Sequence, residues 1–151
     1  NVEALNSVMI GLPGETEANV WKTLNFLSRS KEVKQANFAI ATPYPGTKFH
    51  EMAEKGEGGM KLLSNNFTEY KRYGQAVTRV NNLGPDDLVR LQNEGFVSIY
   101  SKYWRWMPVL KRHGLIGLLL TFVRMFKMLK DKITYKARNF SRKPAIDQQS
   151  N

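Results

Sequence analysis

The sequence predicts an α/β fold, in which a strand–helix–strand–helix region precedes a helical and basic C-terminal region. Short apolar runs of strand length occur at residues 2–11 and 35–42, and a segment with helical spacing of its apolar residues follows each of them. Glycine and proline interrupt the chain directly after each run. Strands that alternate with helices in this way are typical of parallel βα units.

The first strand and helix are predicted between residues 2 and 29. The run at residues 2–11 is almost continuously apolar, so we expect a strand that is buried on both faces. Thr16 occupies the position of a helix N-cap, and the apolar residues of the following helix, predicted over residues 17–29, lie at helical spacing. These apolar residues are Val20, Trp21, Leu24 and Leu27.

The second unit follows the same order. The run at residues 35–42 ends at a Pro-Tyr-Pro-Gly turn, residues 43–46, through which no strand continues. Thr47 is a second candidate N-cap, with Phe49, Met52 and Ala53 on one face of a short helix. Two βα units do not complete a sheet or a barrel, so we expect neighbouring strands upstream and interpret the chain as a fragment of a longer protein.

The rest of the chain is predicted to be a loop followed by helices. Residues 56–83 are interpreted as a loop with one extended piece at 75–80. Pro85 suits the first turn of a helix that ends before Pro108, and a further helix is predicted over residues 115–133. The helix that begins at Pro85 has an apolar face made of Leu88, Val89, Leu91, Phe96, Ile99, Tyr100 and Tyr103. The second has an apolar stripe of Leu115, Leu119, Phe122, Phe126, Leu129 and Ile133, opposite Arg124 and Lys127.

The chain is thereby divided into three regions: a core at residues 1–83, a helical basic extension at 84–140 and a polar tail at 141–151 that is expected to be disordered. Charge separates the extension from the core. Residues 1–101 carry 11 Lys/Arg and 11 Asp/Glu, whereas residues 102–143 carry 12 Lys/Arg and a single acid, Asp131. Such a basic segment implies an acidic partner, either nucleic acid or an anionic membrane surface.

Two interpretations of the basic helix remain open, and nucleic acid ranks behind both because no RNA-binding module is evident. One is a helix packed on the core with a solvated cationic face. The other is peripheral membrane contact through residues 104–138, in which Trp104, Trp106, Leu118, Phe122 and Phe126 face lipid. The apolar core at 115–123 is too short to span a bilayer, which needs about 20 residues.

The absence of cysteine excludes several kinds of site from these 151 residues. It excludes disulfides, thiolate zinc sites and iron–sulfur clusters held by the chain's own thiolates. His50 and His113 lie far apart without companion ligands at a suitable spacing, so we interpret both as surface or helix-face residues. No metal ligand and no catalytic residue is predicted in this chain.

The sequence MIGLPGET, residues 9–16, is the most informative stretch for function. A strand end punctuated by glycines lets the backbone approach a ligand closely and places N–H groups and a helix dipole beside it. A plain tight turn between strand and helix is the alternative. A P-loop is excluded because no Lys-Ser/Thr pair follows the glycines, and the three glycines of a dinucleotide-binding fingerprint are not present.

Together with ATPYPGT at residues 41–47, this stretch resembles the last two strands of the radical S-adenosylmethionine enzyme core. The resemblance covers most of residues 1–105. It is strongest to the group with an N-terminal cobalamin-binding domain, such as anaerobic magnesium-protoporphyrin ester cyclases and radical methyltransferases. It implies the last two βα units of a partial (β/α)6 TIM-like barrel. Two departures are that Ser7 stands where the family has a leading glycine, and that Pro13-Gly14 lengthens the motif by one residue.

The resemblance also implies the cofactors and the residues around them. S-adenosylmethionine would contact residues at the ends of the two strands, namely Met9, Gly11, Glu15, Ala39, Ala41, Thr42 and Tyr44. The three cysteines of the family's CxxxCxxC loop, which hold a 4Fe-4S cluster, and any cobalamin domain would lie upstream of this chain. In the family, the reduced cluster cleaves S-adenosylmethionine and gives a 5′-deoxyadenosyl radical. That radical drives reactions such as methylation or cyclisation.

The expectations for the protein as a whole follow from the same resemblance. The intact enzyme would be cytoplasmic and would act on a small-molecule, lipid or tetrapyrrole-like substrate; membrane contact through residues 104–138 is one of the two open interpretations of the basic helix. This chain by itself is expected to be inactive. The alternative is a non-catalytic βαβα module that binds a membrane surface or RNA through its basic amphipathic helix.

Overall fold

The computed structural model describes residues 5–141, without the side chains of residues 132 and 135–141. It contains four strands and four α-helices. In chain order these are β1 Leu5–Ile10, α1 Glu17–Arg29, β2 Gln35–Ile40, α2 Lys48–Lys55, β3 Met60–Leu62, β4 Thr78–Val80, α3 Pro85–Tyr100 and α4 Trp106–Ser141. Short 3₁₀ turns lie at Glu57–Gly59, Phe67–Glu69 and Tyr103–Arg105.

Strands β1 and β2 are parallel neighbours, in the strand–helix–strand–helix order that the sequence predicts. Leu5 lies opposite Gln35 at one end of the pair and Ile10 lies opposite Ile40 at the other. The amide of Ala41 donates to the carbonyl of Ile10 over 2.8 Å, which continues the ladder past the last strand residue. The carboxyl ends of the two strands therefore lie side by side, and the loops that follow them are adjacent.

Both predicted N-caps are confirmed. The Thr16 hydroxyl accepts a hydrogen bond from the amide of Asn19 at the start of α1, and the Thr47 hydroxyl accepts one from His50 at the start of α2. These bonds satisfy amides that a helix start otherwise leaves without an intrahelical partner. Each helix consequently begins at a defined distance from the strand that precedes it.

The main core lies on one face of the β1–β2 pair, beneath α1 and α3. It contains Ile10, Phe38 and Ile40 from the strands and Leu24 and Leu88 from the helices, all buried. At Gly95 in α3, a Cβ atom would lie 3.0 Å from side-chain carbons of Leu24 and Phe38. Glycine at this position lets α3 approach the sheet closely.

The other face of β1 is exposed, which corrects the prediction of a strand buried on both sides. The side chains of Leu5 and Met9 are 62% and 53% exposed, and Ser7 between them is exposed as well. Within residues 5–141, no layer covers this face of β1. The apolar run identifies a strand, but it carries no information on whether the same chain provides both covering layers.

The outer edge of β2 is closed by a side chain and a loop. Gln92 from α3 donates to the carbonyls of Phe38 and Arg72 over 2.7 and 2.9 Å, and its Oε1 accepts from the amide of Gly74 over 2.9 Å. The amide of Ile40 donates to the same Arg72 carbonyl over 2.9 Å. In the described chain, β1 pairs with β2 alone. A longer sheet would therefore grow beyond β1.

The region interpreted as a loop at residues 56–83 contains a second, smaller sheet. β3 and β4 are antiparallel, with Met60 opposite Val80 and Leu62 opposite Thr78. β4 falls within the extended piece predicted at 75–80, whereas β3 was not predicted. Each strand has only three residues, too few to produce a recognisable alternation. Ala53 of α2 is buried against this sheet.

Helix α3 begins at Pro85 as predicted but ends at Tyr100, earlier than the predicted end before Pro108. The chain then turns through Tyr103–Arg105, and the side chain of Tyr103 is 72% exposed instead of lying on the apolar face. The turn carries Arg105 into the interior, where its side chain has no solvent exposure. Burial lowers the pKa of this guanidinium, and the Coulombic effect of Tyr100 opposes that shift.

The buried Arg105 guanidinium binds four main-chain carbonyls. It donates to Leu27 and Ser30 at the end of α1, to Val33 before β2 and to Ile99 at the end of α3, over 2.7 to 3.0 Å. Carbonyls at helix ends and in turns have no intrahelical donor, so these bonds supply donors to acceptors in the interior; Ile99 accepts a second bond, from the Lys102 amide over 3.4 Å. Arg105 thereby ties together the ends of three elements.

Helix α4 is longer than the helix predicted at 115–133. It includes Pro108 in its first turn, and its backbone leaves helical geometry at Gly114, with φ 65° and ψ −172°. Helical structure continues to Ser141, which the sequence placed in the polar tail. The rest of that predicted tail, residues 142–151, lies outside the described residues. None of the described helices is both long enough and apolar enough to cross a membrane.

Candidate ligand-binding site at the ends of the parallel strands

The ends of β1 and β2 bring most of the predicted site residues together. Met9 and Ala39 are opposite one another in the ladder and lie on the uncovered face of the sheet. Gly11 and Ala41 lie two residues later, directly after the last residue of each strand, and both are buried. Gly11 has a φ of 90°, a backbone conformation that favours glycine, and this lets the chain turn sharply at the sheet edge.

Glu15 closes the loop that follows β1. One carboxylate oxygen accepts hydrogen bonds from the amides of Gly11 and Leu12, over 2.6 and 3.2 Å. We expected the amides at this strand end to be available to a ligand, and at these two positions the expectation is wrong. The Glu15 carboxylate, four residues after Gly11, binds both amides itself and therefore occupies the donors that a ligand would use. Glu15 therefore organises the loop from within.

Residues next to the β3–β4 sheet also support the loop that follows β1. The side-chain amide of Asn81 donates to the Glu15 carbonyl over 2.8 Å, and the amide of Gly14 donates to the Gly58 carbonyl over 2.7 Å. A Cβ atom on Gly58 would lie 2.6 Å from the Cβ of Pro13, so only glycine fits at this contact. The small β3–β4 sheet thus holds the loop after β1 in place.

Removing the Glu15 carboxylate is expected to loosen this loop locally. In Glu15→Ala, the Gly11 and Leu12 amides lose a charged acceptor worth about 1.5–3 kcal/mol, reduced by partial exposure, so we expect about tenfold faster hydrogen exchange at these amides. Exchange would be followed residue by residue by NMR. Glu32→Ala, at an exposed glutamate, is the control. Unchanged exchange at Gly11 in Glu15→Ala would contradict the assigned role.

The second rim of the site is formed by residues after β2. The Thr42 hydroxyl lies within hydrogen-bonding distance of the carbonyls of Ile40 and Lys71, at 3.2 and 3.3 Å. Tyr44 is partly exposed, with its ring centroid 6.2 Å from that of Tyr70. Burial raises the pKa of Tyr70, and the charge of Glu54 adds to this effect. The rim therefore offers a phenol ring at its outer end and small residues at its base.

Three supporting residues were not identified from the sequence: Gly58, Tyr70 and Asn81. Asn81 has a positive φ of 51°, which asparagine tolerates better than most residues. The Asn-Asn-Leu-Gly-Pro run at residues 81–85 indicates a turn, but nothing local indicates that this turn contacts residues 14–15. The contact depends on the packing of the small sheet against the first loop.

Neither histidine is among the residues gathered at the ends of β1 and β2: His113 lies in α4 and His50 in α2. His50 lies with Nδ1 3.0 Å from the Pro43 carbonyl and Nε2 3.4 Å from a carboxylate oxygen of Glu54. Among the described residues, no three or more of His, Cys, Asp and Glu are grouped so that they could hold a metal ion. His50 is accounted for by its contacts with the turn after β2 and with its own helix.

Comparison with known proteins gives a partial similarity. A protein of Pyrococcus horikoshii described as an uncharacterized methyltransferase is 31% identical over 99 residues, which make up 66% of this chain and 20% of that protein. The chain thus spans about one fifth of the length of this curated relative. No protein-family model matches the chain, and no solved structure was found to match it. Part of the chain is therefore similar to part of a methyltransferase.

Proposed function

We propose that this chain is the C-terminal part of a radical S-adenosylmethionine enzyme and forms one wall of its S-adenosylmethionine and substrate pocket. In this proposal β1 and β2 are the last two strands of a partial (β/α)6 barrel, and α3 and α4 form an extension. The observation that carries the proposal is the parallel register of β1 and β2, which places the loops at residues 11–16 and 41–47 side by side. Enzymes built on parallel barrels place their sites at this end of the strands.

Two further features support a sheet that continues beyond β1. The outer edge of β2 is closed by Gln92 and by the segment around Arg72, as expected of a last strand. The free face of β1 exposes Leu5 and Met9, as expected of a strand whose inner face lines a larger barrel. The similarity to a protein described as a methyltransferase agrees with use of S-adenosylmethionine, which is the usual methyl donor.

The residues at the strand ends suit a flat ring such as adenine. Met9 presents a polarizable thioether, which makes favourable contacts with aromatic rings. Ala39, opposite Met9, has a small side chain that leaves room for the ring to approach the backbone. Gly11 is buried against Leu88 and contributes the turn that ends the strand. Tyr44 stands at the rim, where its phenol would shield one side of a bound molecule. Glu15 acts indirectly, because it holds the Gly11 turn.

The residues of this chain do not fit an iron–sulfur cluster. None of the 151 residues is cysteine, and thiolates are the usual ligands of such clusters. A 4Fe-4S cluster, and cobalamin if the enzyme uses it, would be held by segments upstream. When bound, the cluster would supply the electron that cleaves S-adenosylmethionine. This chain would orient the adenosyl group and exclude water.

The coding sequence upstream of Asn1 provides the first test. The proposal expects it to encode a CxxxCxxC segment and four further βα units before β1. An initiating methionine within a few residues of Asn1 would contradict the proposal. It would favour the alternative of a non-catalytic βαβα module.

The enzyme encoded by that longer sequence provides the second test. After reconstitution with iron and sulfide and chemical reduction, it is expected to convert S-adenosylmethionine to 5′-deoxyadenosine. Met9→Ala is expected to raise the KM for S-adenosylmethionine about tenfold, because it removes ring contacts worth about 1.5 kcal/mol. Leu5→Ala is the matched control, since Leu5 lies on the same face at the opposite end of the same strand.

Two results would contradict this part of the proposal. Equal changes of KM in both variants would place the adenosyl group elsewhere. Formation of S-adenosylhomocysteine without any 5′-deoxyadenosine would show a methyltransferase of the non-radical type.

A further inference from the structure

One side of α4 carries an exposed apolar surface. Ile133, in the later part of the helix, is 71% exposed. Over residues 115–126, directly beyond the break at Gly114, six large apolar side chains are between 58% and 76% exposed. We call them the α4 apolar face; they are Leu115, Ile116, Leu119, Leu120, Val123 and Phe126. At about 100° per residue these six positions fall within about 140° of the helix circumference. Contiguous apolar surface of this kind marks an interaction site.

The opposite side of α4 attaches the helix to the rest of the chain. The Phe122 ring lies edge-on to Trp106, with centroids 5.1 Å apart, and the Arg124 guanidinium lies 5.4 Å from the centre of the Phe96 ring in α3. Phe122 and Leu118, which the membrane interpretation of the sequence placed on the lipid-facing side, are half-buried on this side of the helix. Because this side of α4 contacts α3 and Trp106, the residues of the α4 apolar face are the ones that stay exposed.

Cations border the α4 apolar face at both ends. Lys111 precedes it, and Lys127 and Lys130 follow it, all three exposed. Asp131 is the only acid among residues 102–143, against 12 Lys/Arg. An apolar stripe bordered by lysines is typical of helices that lie in the interface of a membrane with anionic headgroups.

The charge distribution argues against the other candidate partners. A second copy of this chain would bring two strongly cationic segments together, which opposes association. A nucleic acid would engage the lysines but would leave the apolar side chains in water. The face spans about 17 Å along the helix, too short to cross a bilayer but sufficient to lie along its surface.

We infer that α4 binds the surface of an anionic lipid bilayer, with its apolar face among the upper acyl chains and its lysines at the headgroups. The inference does not depend on the proposed enzymatic function, because it rests on α4 alone. A helix in this orientation lies parallel to the membrane plane. The Trp106 side of α4 faces the rest of the chain, so α3 and the parallel strands would stand on the side away from the lipid.

Vesicle binding of the full 151-residue chain tests the apolar part of this inference. Vesicles of phosphatidylcholine with about 30% phosphatidylglycerol should bind the chain in a co-sedimentation assay, whereas pure phosphatidylcholine should bind it at least about tenfold more weakly. Leu119→Glu with Leu120→Glu should reduce binding at least about tenfold. The matched control is Phe26→Glu, at an apolar residue of α1 that is 70% exposed, and it should bind as the unaltered chain does.

Lysine variants test the electrostatic part. Lys127→Gln with Lys130→Gln should weaken binding to the anionic vesicles about thirtyfold, because each of the two lysines near the surface contributes about 1 kcal/mol. Lys22→Gln with Lys31→Gln, at exposed lysines of the core region, should have little effect. Raising the salt concentration from 0.1 to 0.5 M should weaken binding of the unaltered chain. Circular dichroism would verify that each variant keeps its helix content.

Three results would overturn the inference. The first is equal binding to neutral and anionic vesicles. The second is a dimer in light scattering that Leu119→Glu disrupts while vesicle binding is absent. The third is tighter binding to duplex RNA that depends on the lysines and is unaffected by the leucine variants.

Discussion

Replacing Arg105 by methionine is expected to lower the free energy of unfolding by about 3–5 kcal/mol, a large part of the stability of a small domain. The change removes the donors that bind the carbonyls of Leu27, Ser30, Val33 and Ile99. Ile99 keeps a bond from the Lys102 amide, whereas the other three carbonyls lose the donor that Arg105 supplies. Each buried acceptor without a partner costs about 1–3 kcal/mol, partly relieved by relaxation or entry of water. Urea unfolding followed by circular dichroism would measure the loss.

Two further variants distinguish the effect of the Arg105 hydrogen bonds from the effects of losing a positive charge or a long side chain. Arg105→Lys keeps the charge, but a single ammonium has fewer donors in a different geometry, so we expect most of the loss to remain. Arg79→Met, at an exposed arginine of β4, should leave the urea midpoint nearly unchanged. If Arg105→Met unfolds at the same urea concentration as the unaltered chain, the four hydrogen bonds do not stabilise the fold.

Replacing Gln92 by methionine is expected to lower the free energy of unfolding by about 2–4 kcal/mol. Methionine has a similar length, so the packing of α3 is maintained, but Phe38 and Arg72 lose a donor and Gly74 loses an acceptor. Phe38 is the partner deepest in the protein, and its carbonyl contributes most of the loss. The measurement is again the urea midpoint.

The same variant has a local consequence at the edge of the sheet. Amides in the segment at residues 72–74 should exchange faster with solvent, because the segment loses its attachment to α3. Asn93→Met changes the adjacent, half-buried residue of α3 and should have a smaller effect on both measurements. An equal effect of the two variants would show that Gln92 contributes by packing alone.

The local parts of the fold were predictable because they depend on interactions within a few residues. Thr16 and Thr47 begin their helices by binding amides three residues on, and Pro85 begins α3. The glycine turn and the proline turn follow β1 and β2 as predicted, and the strands end at Ile10 and Ile40, one and two residues before the predicted ends of the runs. The grouping of Met9 with Ala39 followed from these local features together with the general rule that consecutive βα units pair in parallel.

The sequence predicted which residues lie near the two strand ends more fully than the hydrogen bonds between them. The pattern placed Glu15 beside the strand end, but the interaction of its carboxylate with Gly11 and Leu12 depends on the conformation of the intervening turn. The support from Asn81 joins residues 66 positions apart. Sequence periodicity contains no information on contacts of that separation.

The sequence by itself determined the order of β1, α1, β2 and α2, the starts of α1, α2 and α3, and the end of the parallel strands at which the two loops meet. Only the tertiary structure decided that one face of β1 is uncovered, that Gln92 closes β2, and that α3 ends where Arg105 enters the interior. It also decided which apolar residues of α4 face outward. Capping and periodicity act within one or two helical turns, whereas burial depends on which distant segments meet, and Arg105 and Leu27 are 78 residues apart.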